Sequence, residues 1–198
     1  GSGQVEFTGG NEFLIEMLDD TFTGQVGVQV SEGLTHEYDS THLEYINDMH
    51  VENFAEVSLS IEHLSKWDGQ LTGGDSSMLS LTGYDASTLV VDSVPDTFNG
   101  EVNLQIVDDV TIREEDLNHS LVTSFTIEED TKAYIVHNDN FNNHISKAQG
   151  DGSLMADFDP NSGTLLDFSE VSDLAGPNLG VRLDDSVTDV DLQKIFKT

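Results

Sequence analysis

Apolar and polar residues alternate with a period of two along much of this chain, and this constrains the fold more than any other feature. Val26, Val28 and Val30 are interleaved with Gln25, Gly27 and Gln29. Val57, Leu59 and Ile61 alternate with Ser58, Ser60 and Glu62, and Val102, Leu104 and Ile106 with Asn103 and Gln105. Leu154, Ala156 and Phe158 repeat the pattern. Successive side chains of a strand point to opposite faces, so each run reads as a strand with one wet face. Further strands are expected at 13–18, 78–82, 88–94, 121–127, 132–137, 164–168 and 179–183. Clusters of Gly, Asn, Asp and Pro punctuate them, among them Gly73-Gly74, Asn99-Gly100, 138–143 and 160–163.

About ten short strands, with no crossover helices and no repeat at a fixed period, predict an all-β antiparallel sandwich of jelly-roll or Ig-like type. Two stretches depart from the pattern. Residues 36–53 are polar and have room for a short helix. Residues 186–196 read as a short C-terminal helix, with Ser186 and Asp189 placed as a capping box and Lys194 and Lys197 at the favourable end. One domain, 1–198, is expected, with residues 1–18 as an exchanged or donated N-terminal strand. In that segment Phe13, Ile15 and Met17 form an apolar row that a neighbour's sheet edge would accept.

Charge narrows the partners. The 198 residues carry 38 Asp and Glu against 7 Lys and Arg, a formal net charge of −31. Nucleic-acid backbones and anionic bilayers are excluded by repulsion. No apolar run reaches the ~18–20 residues of a membrane-spanning helix. A folded chain of this mass exposes roughly 9,000 Å², so one net charge falls on about every 300 Å². Such a surface repels itself in dilute buffer and is screened in brine, as expected of a marine or salt-loving source. Ten Phe supply core, and the absence of Cys removes disulfides, thiolate chemistry and Cys-rich zinc sites. No charged-then-apolar leader opens the sequence, as expected of a processed, secreted chain found outside the cell or on its surface.

The stretch with the best cation chemistry is Asp157-Phe158-Asp159-Pro160-Asn161-Ser162-Gly163, with Asp167 beyond it. Oxygen ligands at alternate positions before a Gly suit a loop that wraps Ca²⁺, so Asp157, Asp159, Asn161 and Asp167 are its expected ligands. Asp184, Asp185, Asp189 and Asp191 form a second acidic cluster. The seven His show no metal-binding spacing, although His137 and His144 flank an amide-rich turn. Among aromatics, Trp67, Tyr38, Tyr45 and Tyr84 are those that would stack on a sugar if they line a pocket; core packing is their commoner use. No catalytic residues are assigned. Gly74-Asp75-Ser76-Ser77 and Asp116-Leu117-Asn118-His119 resemble the Gly-Asp-Ser and Asp-x-x-His blocks of a lipase/esterase family. That family is built on an alternating α/β sheet, which the strand pattern here does not suggest.

A broader resemblance spans about half the chain. Its blocks run in order: Glu56-Val57-Ser58-Leu59-Ser60-Ile61-Glu62-His63-Leu64, Ser80-Leu81, Asp92-Ser93-Val94-Pro95, and Val102-Asn103-Leu104-Gln105-Ile106. Ser124-Phe125-Thr126-Ile127-Glu128-Glu129, then Asn138–Lys147 leading into Gly150-Asp151-Gly152-Ser153-Leu154, complete it. This order is similar to a family of secreted prokaryotic β-sandwich domains of unassigned function, often lipoprotein-anchored. The resemblance implies an extracytoplasmic sandwich and carries no catalytic residues. The functional expectation is a non-enzymatic extracellular or cell-surface structural or adhesive protein, self-associating into a homo-oligomer or a filament by strand addition. A carbohydrate- or small-ligand-binding module is the alternative, and a hydrolase the remaining one.

Overall fold

The computed structural model describes residues 4–8, 23–32, 35–38, 43–158, 163–168 and 176–183. The chain divides into two compact units, Gly1–Tyr84 with Val90–Leu104, and Asp85–Leu89 with Gln105–Thr198. In chain order the first holds strands β1 (Gln4–Thr8), β2 (Gln25–Val30), β3 (Thr35–Tyr38), β4 (Asp48–Val51) and β5 (Glu56–Ser60), then helix α1 (Ile61–Lys66). Strands β6 (Gln70–Gly73) and β7 (Met78–Thr82), helix α2 (Val90–Ser93) and most of β8 (Glu101–Ile106) complete it.

Among the described residues of this unit every pairing between strands is parallel. One sheet has the order β1-β2-β4-β6, and in a second β3, β5, β7 and β8 lie side by side. Glu56 pairs with Met78 and Met78 with Glu101; Gly27 pairs with Asp48 and Asp48 with Gln70. Each return of the chain to the same sheet therefore takes 21 to 23 residues. In that span the chain crosses one sheet, turns a short corner, crosses the other and comes back. Such coils stack like residues on like. Val28, Met49 and Leu71 form one buried column, and Leu59, Leu81 and Leu104 another, all 5% exposed or less. Each fully buried Leu contributes roughly 1.5–3 kcal/mol, and a column repeats that gain at every coil.

The second unit contains β9 (Val110–Ile112), α3 (Glu114–Asn118), β10 (Val122–Ile127), β11 (Lys132–Val136), α4 (Asn138–His144), a 3-10 turn (Ile145–Lys147), β12 (Ala148–Gly150), β13 (Ser153–Asp157) and β14 (Asn178–Arg182). Its pairings are parallel as well: β9-β11-β13-β14 form a sheet and β10 pairs with β12. Ile112, Ile135 and Ala156 make its buried column. The amide-rich stretch expected to turn is instead the seven-residue helix α4. Its Asn138 and Asn142 amides donate to the carbonyls of Thr164 and Leu165, at 2.6 and 2.5 Å, and Phe141 meets Phe168 edge-to-face at 5.6 Å.

The antiparallel sandwich is thus overturned: the sheets are parallel, with short helices on the return paths, an α/β-like arrangement. Alternation reports that a strand has one wet face and is blind to strand direction. Direction is set by what joins paired neighbours. Parallel neighbours need a crossover of a dozen residues or more, whereas hairpins need two to five. The segments at Gly73-Gly74 and Asn99-Gly100 proved to be corners between different sheets rather than hairpin turns. Gly74 N–H donates to the Val51 carbonyl and Phe54 N–H to the Ser76 carbonyl, so successive corners bond to each other. The segment 88–94, expected as a strand, carries α2, and within 36–53 the described residues include β4. Gln4–Thr8 pairs with Gln25–Gln29 of its own chain. The rest of the donated-strand segment and the expected C-terminal helix lie outside the described residues.

Candidate functional site

The first unit has a groove of about 390 Å³ at the corner that precedes β4 and β6. Leu43, Glu44, His63, Lys66, Trp67 and Asp68 line it. Stacking of successive coils builds the corner. Asn47 N–H donates to the Val26 carbonyl and Gln70 N–H to the Asn47 carbonyl, both at 2.8 Å, while Asn47 Oδ1 accepts from Val26 N–H at 3.0 Å. Asn47 thereby clamps three consecutive coils through its backbone and side chain. Leu43, 3% exposed, anchors the wall.

Trp67 ends α1, its N–H donating to the carbonyls of His63 and Leu64 at 3.0 and 3.2 Å. Its indole Nε1–H donates to the Ile46 carbonyl at 2.7 Å. A Cβ at Gly69 would lie inside contact distance of ring atoms Cζ2, Cε2 and Nε1, the last at 2.6 Å. The ring therefore rests on a position where only glycine fits, with its polar edge tied to the neighbouring coil. It remains half-buried, so part of it faces solvent. Glu44, Lys66 and Asp68 are exposed around it. Lys66 is paired with Glu62 one turn back at 2.5 Å. His63 Nδ1 is buried with no hydrogen-bond partner among the described residues. A fixed indole can stack on a ring while the carboxylates beside it accept hydrogen bonds from hydroxyl or amino groups.

Of the aromatics singled out in the sequence, Trp67 alone lines this groove. Tyr84 is 2% exposed in the core, Tyr45 is 55% exposed, and the Tyr38 side chain lies outside the described residues. Glu44, His63, Lys66 and Asp68 were not foreseen. The signal that could have found them is the proximity of 43–47 and 67–70 once a return of about 22 residues is assumed.

A second polar surface lies on the outer face of β2, β4 and β6, a depression of about 240 Å³. Gln29, His50 and Thr72 stack there in register, with His50 Nδ1 2.9 Å from Thr72 Oγ1. The Gln29 amide donates to the Glu52 carboxylate, which also accepts from Glu32 N–H. These groups satisfy one another.

The expected Ca²⁺ ligands are only partly placed. Asp159 and Asn161 lie outside the described residues, as do Asp184, Asp185, Asp189 and Asp191. Both Asp157 oxygens accept from Arg182, Oδ1 from Nε and Oδ2 from Nη2, each at 2.5 Å. Arg182 also lies over the Tyr134 ring, 3.8 Å from its centre. Asp167 N–H donates to Asn142 Oδ1 at 2.6 Å. Among the described residues no three His, Asp or Glu side chains converge on a metal-sized position.

The lipase-like blocks are placed separately. Ser76, the serine that follows Gly74-Asp75, is exposed in the first unit with its N–H donating to Asn53 Oδ1, whereas His119 Nδ1 accepts from Leu121 N–H in the second. That unit also holds a partly buried polar cluster. Lys147 Nζ donates to the Leu117 and Val122 carbonyls, both at 2.8 Å, and His144 Nε2 lies 3.2 Å from Asn118 Oδ1. Burial holds the His144 pKa below its ordinary value, with Lys147 adding to the effect, and burial likewise lowers Lys147. The Lys147 ammonium serves the Leu117 carbonyl near the end of α3, where a short helix otherwise leaves carbonyls without partners, and the Val122 carbonyl at the start of β10.

No family model, curated protein or solved structure matches the chain.

Proposed function

We propose that this protein is a non-catalytic extracellular binding module that recognises carbohydrate at the Trp67 groove. The half-buried indole carries this reading. A tryptophan used only for core packing needs no open face, yet this one is held by the Ile46 carbonyl and by Gly69 at the wall of a groove. Pyranose rings present an apolar C–H face to an aromatic ring and hydroxyls to flanking carboxylates, here Glu44 and Asp68. Recognition of surface glycans agrees with the adhesive role expected from the sequence. Calorimetry against a panel of oligosaccharides tests it. At least one should bind wild type and lose binding to Trp67→Ala, while Tyr45→Ala, with unchanged melting temperature, retains it. A full panel without Trp67-dependent heat overturns the reading.

A second reading, self-association through strand edges, draws on β14. Among the described residues it pairs only with β13, leaving one edge open to another strand. Sedimentation over a hundredfold concentration range should then show growing species, suppressed by Gly180→Pro. A single monomeric boundary at all concentrations overturns it.

A further inference from the structure

We infer that the preferred ligand of the Trp67 groove is a cationic amino sugar rather than a neutral or acidic one. The inference rests on the carbohydrate reading and adds to it the charge of the ligand. Four charged side chains determine the field at the groove. Lys66 is balanced by Glu62, its partner at 2.5 Å, leaving Glu44 and Asp68 as surplus negative charge. Neither surplus carboxylate has a hydrogen bond or ion pair among the described residues, and both are exposed. The indole favours a cation for an independent reason, since the face of an aromatic ring is its negative side and Trp is the best such partner. At long range, the −31 net charge draws cations and turns away uronic acids and sulfated sugars. A neutral sugar would leave two carboxylates with hydroxyl donors only. A protonated amine beside either of them gives that carboxylate a charge-assisted hydrogen bond, roughly twice as strong as a neutral one.

Specificity for an amino sugar thus follows from the same residues that form the groove.

The test is a fluorescence titration, because Trp67 is the only tryptophan in the chain and reports the groove without labelling. The probes are a β-1,4-linked glucosamine tetramer and its fully N-acetylated counterpart, at a pH where the amine is protonated and carboxylates are ionised. The amine form should bind about fivefold more tightly in dilute buffer, the factor that one net charge–charge contact in water supplies. That advantage should shrink on adding NaCl and fall away in Glu44→Gln/Asp68→Asn, which is expected to fold because both side chains are exposed. Equal affinity for the two tetramers, or an advantage that survives the double substitution, overturns the amino-sugar inference while leaving carbohydrate binding intact. If neither tetramer, nor any sugar of the panel above, perturbs Trp67, the carbohydrate reading itself fails.

Discussion

Replacing Gly100 with alanine is expected to destabilise the first unit by about 2–4 kcal/mol. Gly100 opens the corner before β8 and lies against the corner of the preceding coil. A Cβ there would sit 2.5 Å from the Ser77 carbonyl oxygen, closer still to Ser77 Oγ, and 2.6 Å from the Phe98 ring. The carbonyl cannot swing away, because it accepts the Glu101 N–H at 2.8 Å in the ladder that joins the two coils. Relief requires the coils to separate by several tenths of an ångström. Overpacking of this kind costs ~1–3 kcal/mol, and weakening one ladder bond adds ~0.5–1.5 kcal/mol. For a chain of this size each kcal/mol lowers Tm by about 2–4 °C, so thermal melts followed by circular dichroism should shift by roughly 5–15 °C. Asn99→Ala, one residue earlier and exposed, should stay within about 0.5 kcal/mol of wild type. In a hairpin, position 100 would be an open turn with room for a methyl group. A Gly100→Ala melt that matches wild type would therefore refute the stacking of coils at Ser77 and Gly100.

Other expectations are independent of that corner. Raising NaCl from ~0.05 to ~2 M should raise Tm, because the surface charge is screened; a flat or falling midpoint contradicts self-repulsion as a main source of instability. His144, with its folded pKa below the unfolded value near 6.5, binds fewer protons folded than unfolded. Its presence therefore costs stability as pH falls through and below about 6.5, and His144→Gln should flatten that part of the pH–Tm curve relative to wild type. Parallel curves for the two proteins would contradict the burial of a neutral imidazole. For the proposed Ca²⁺ loop, Arg182→Ala frees both Asp157 oxygens and should strengthen calorimetric Ca²⁺ binding; equal affinity removes Asp157 from the ligand set.

The sequence made individual strands legible and left their arrangement hidden. The runs around Val57 and Leu154 are strands that bury alternate residues only, as a period of two requires, whereas those around Leu79 and Val102 also bury Ser80 and Asn103, which the pattern put on a wet face. Nothing in that period distinguishes a parallel neighbour from an antiparallel one. The information lay in the return distance, about 22 residues, and it was masked because the corners vary in length and their side chains differ from coil to coil. Val30, Val51 and Gly73 occupy one column with little in common except modest size. The groove was half legible. Trp67 stood out as an aromatic able to stack on a sugar, but its neighbours Leu43 and Glu44 come from the preceding coil and are adjacent only when the return distance is known. Asp157 illustrates the converse. Its spacing suits a cation loop, yet its oxygens are held by an arginine 25 residues away, across the parallel ladder.

The single indole N–H resonance in a ¹⁵N-labelled sample offers the most direct measurement. It is predicted to be protected from solvent exchange by the Ile46 carbonyl, to show nuclear Overhauser contacts to Gly69 and to residues 46–47, and to shift saturably with the glucosamine tetramer. A rapidly exchanging indole N–H without contacts to residues 46–47, or a resonance that no sugar moves, would contradict the groove and the function assigned to it.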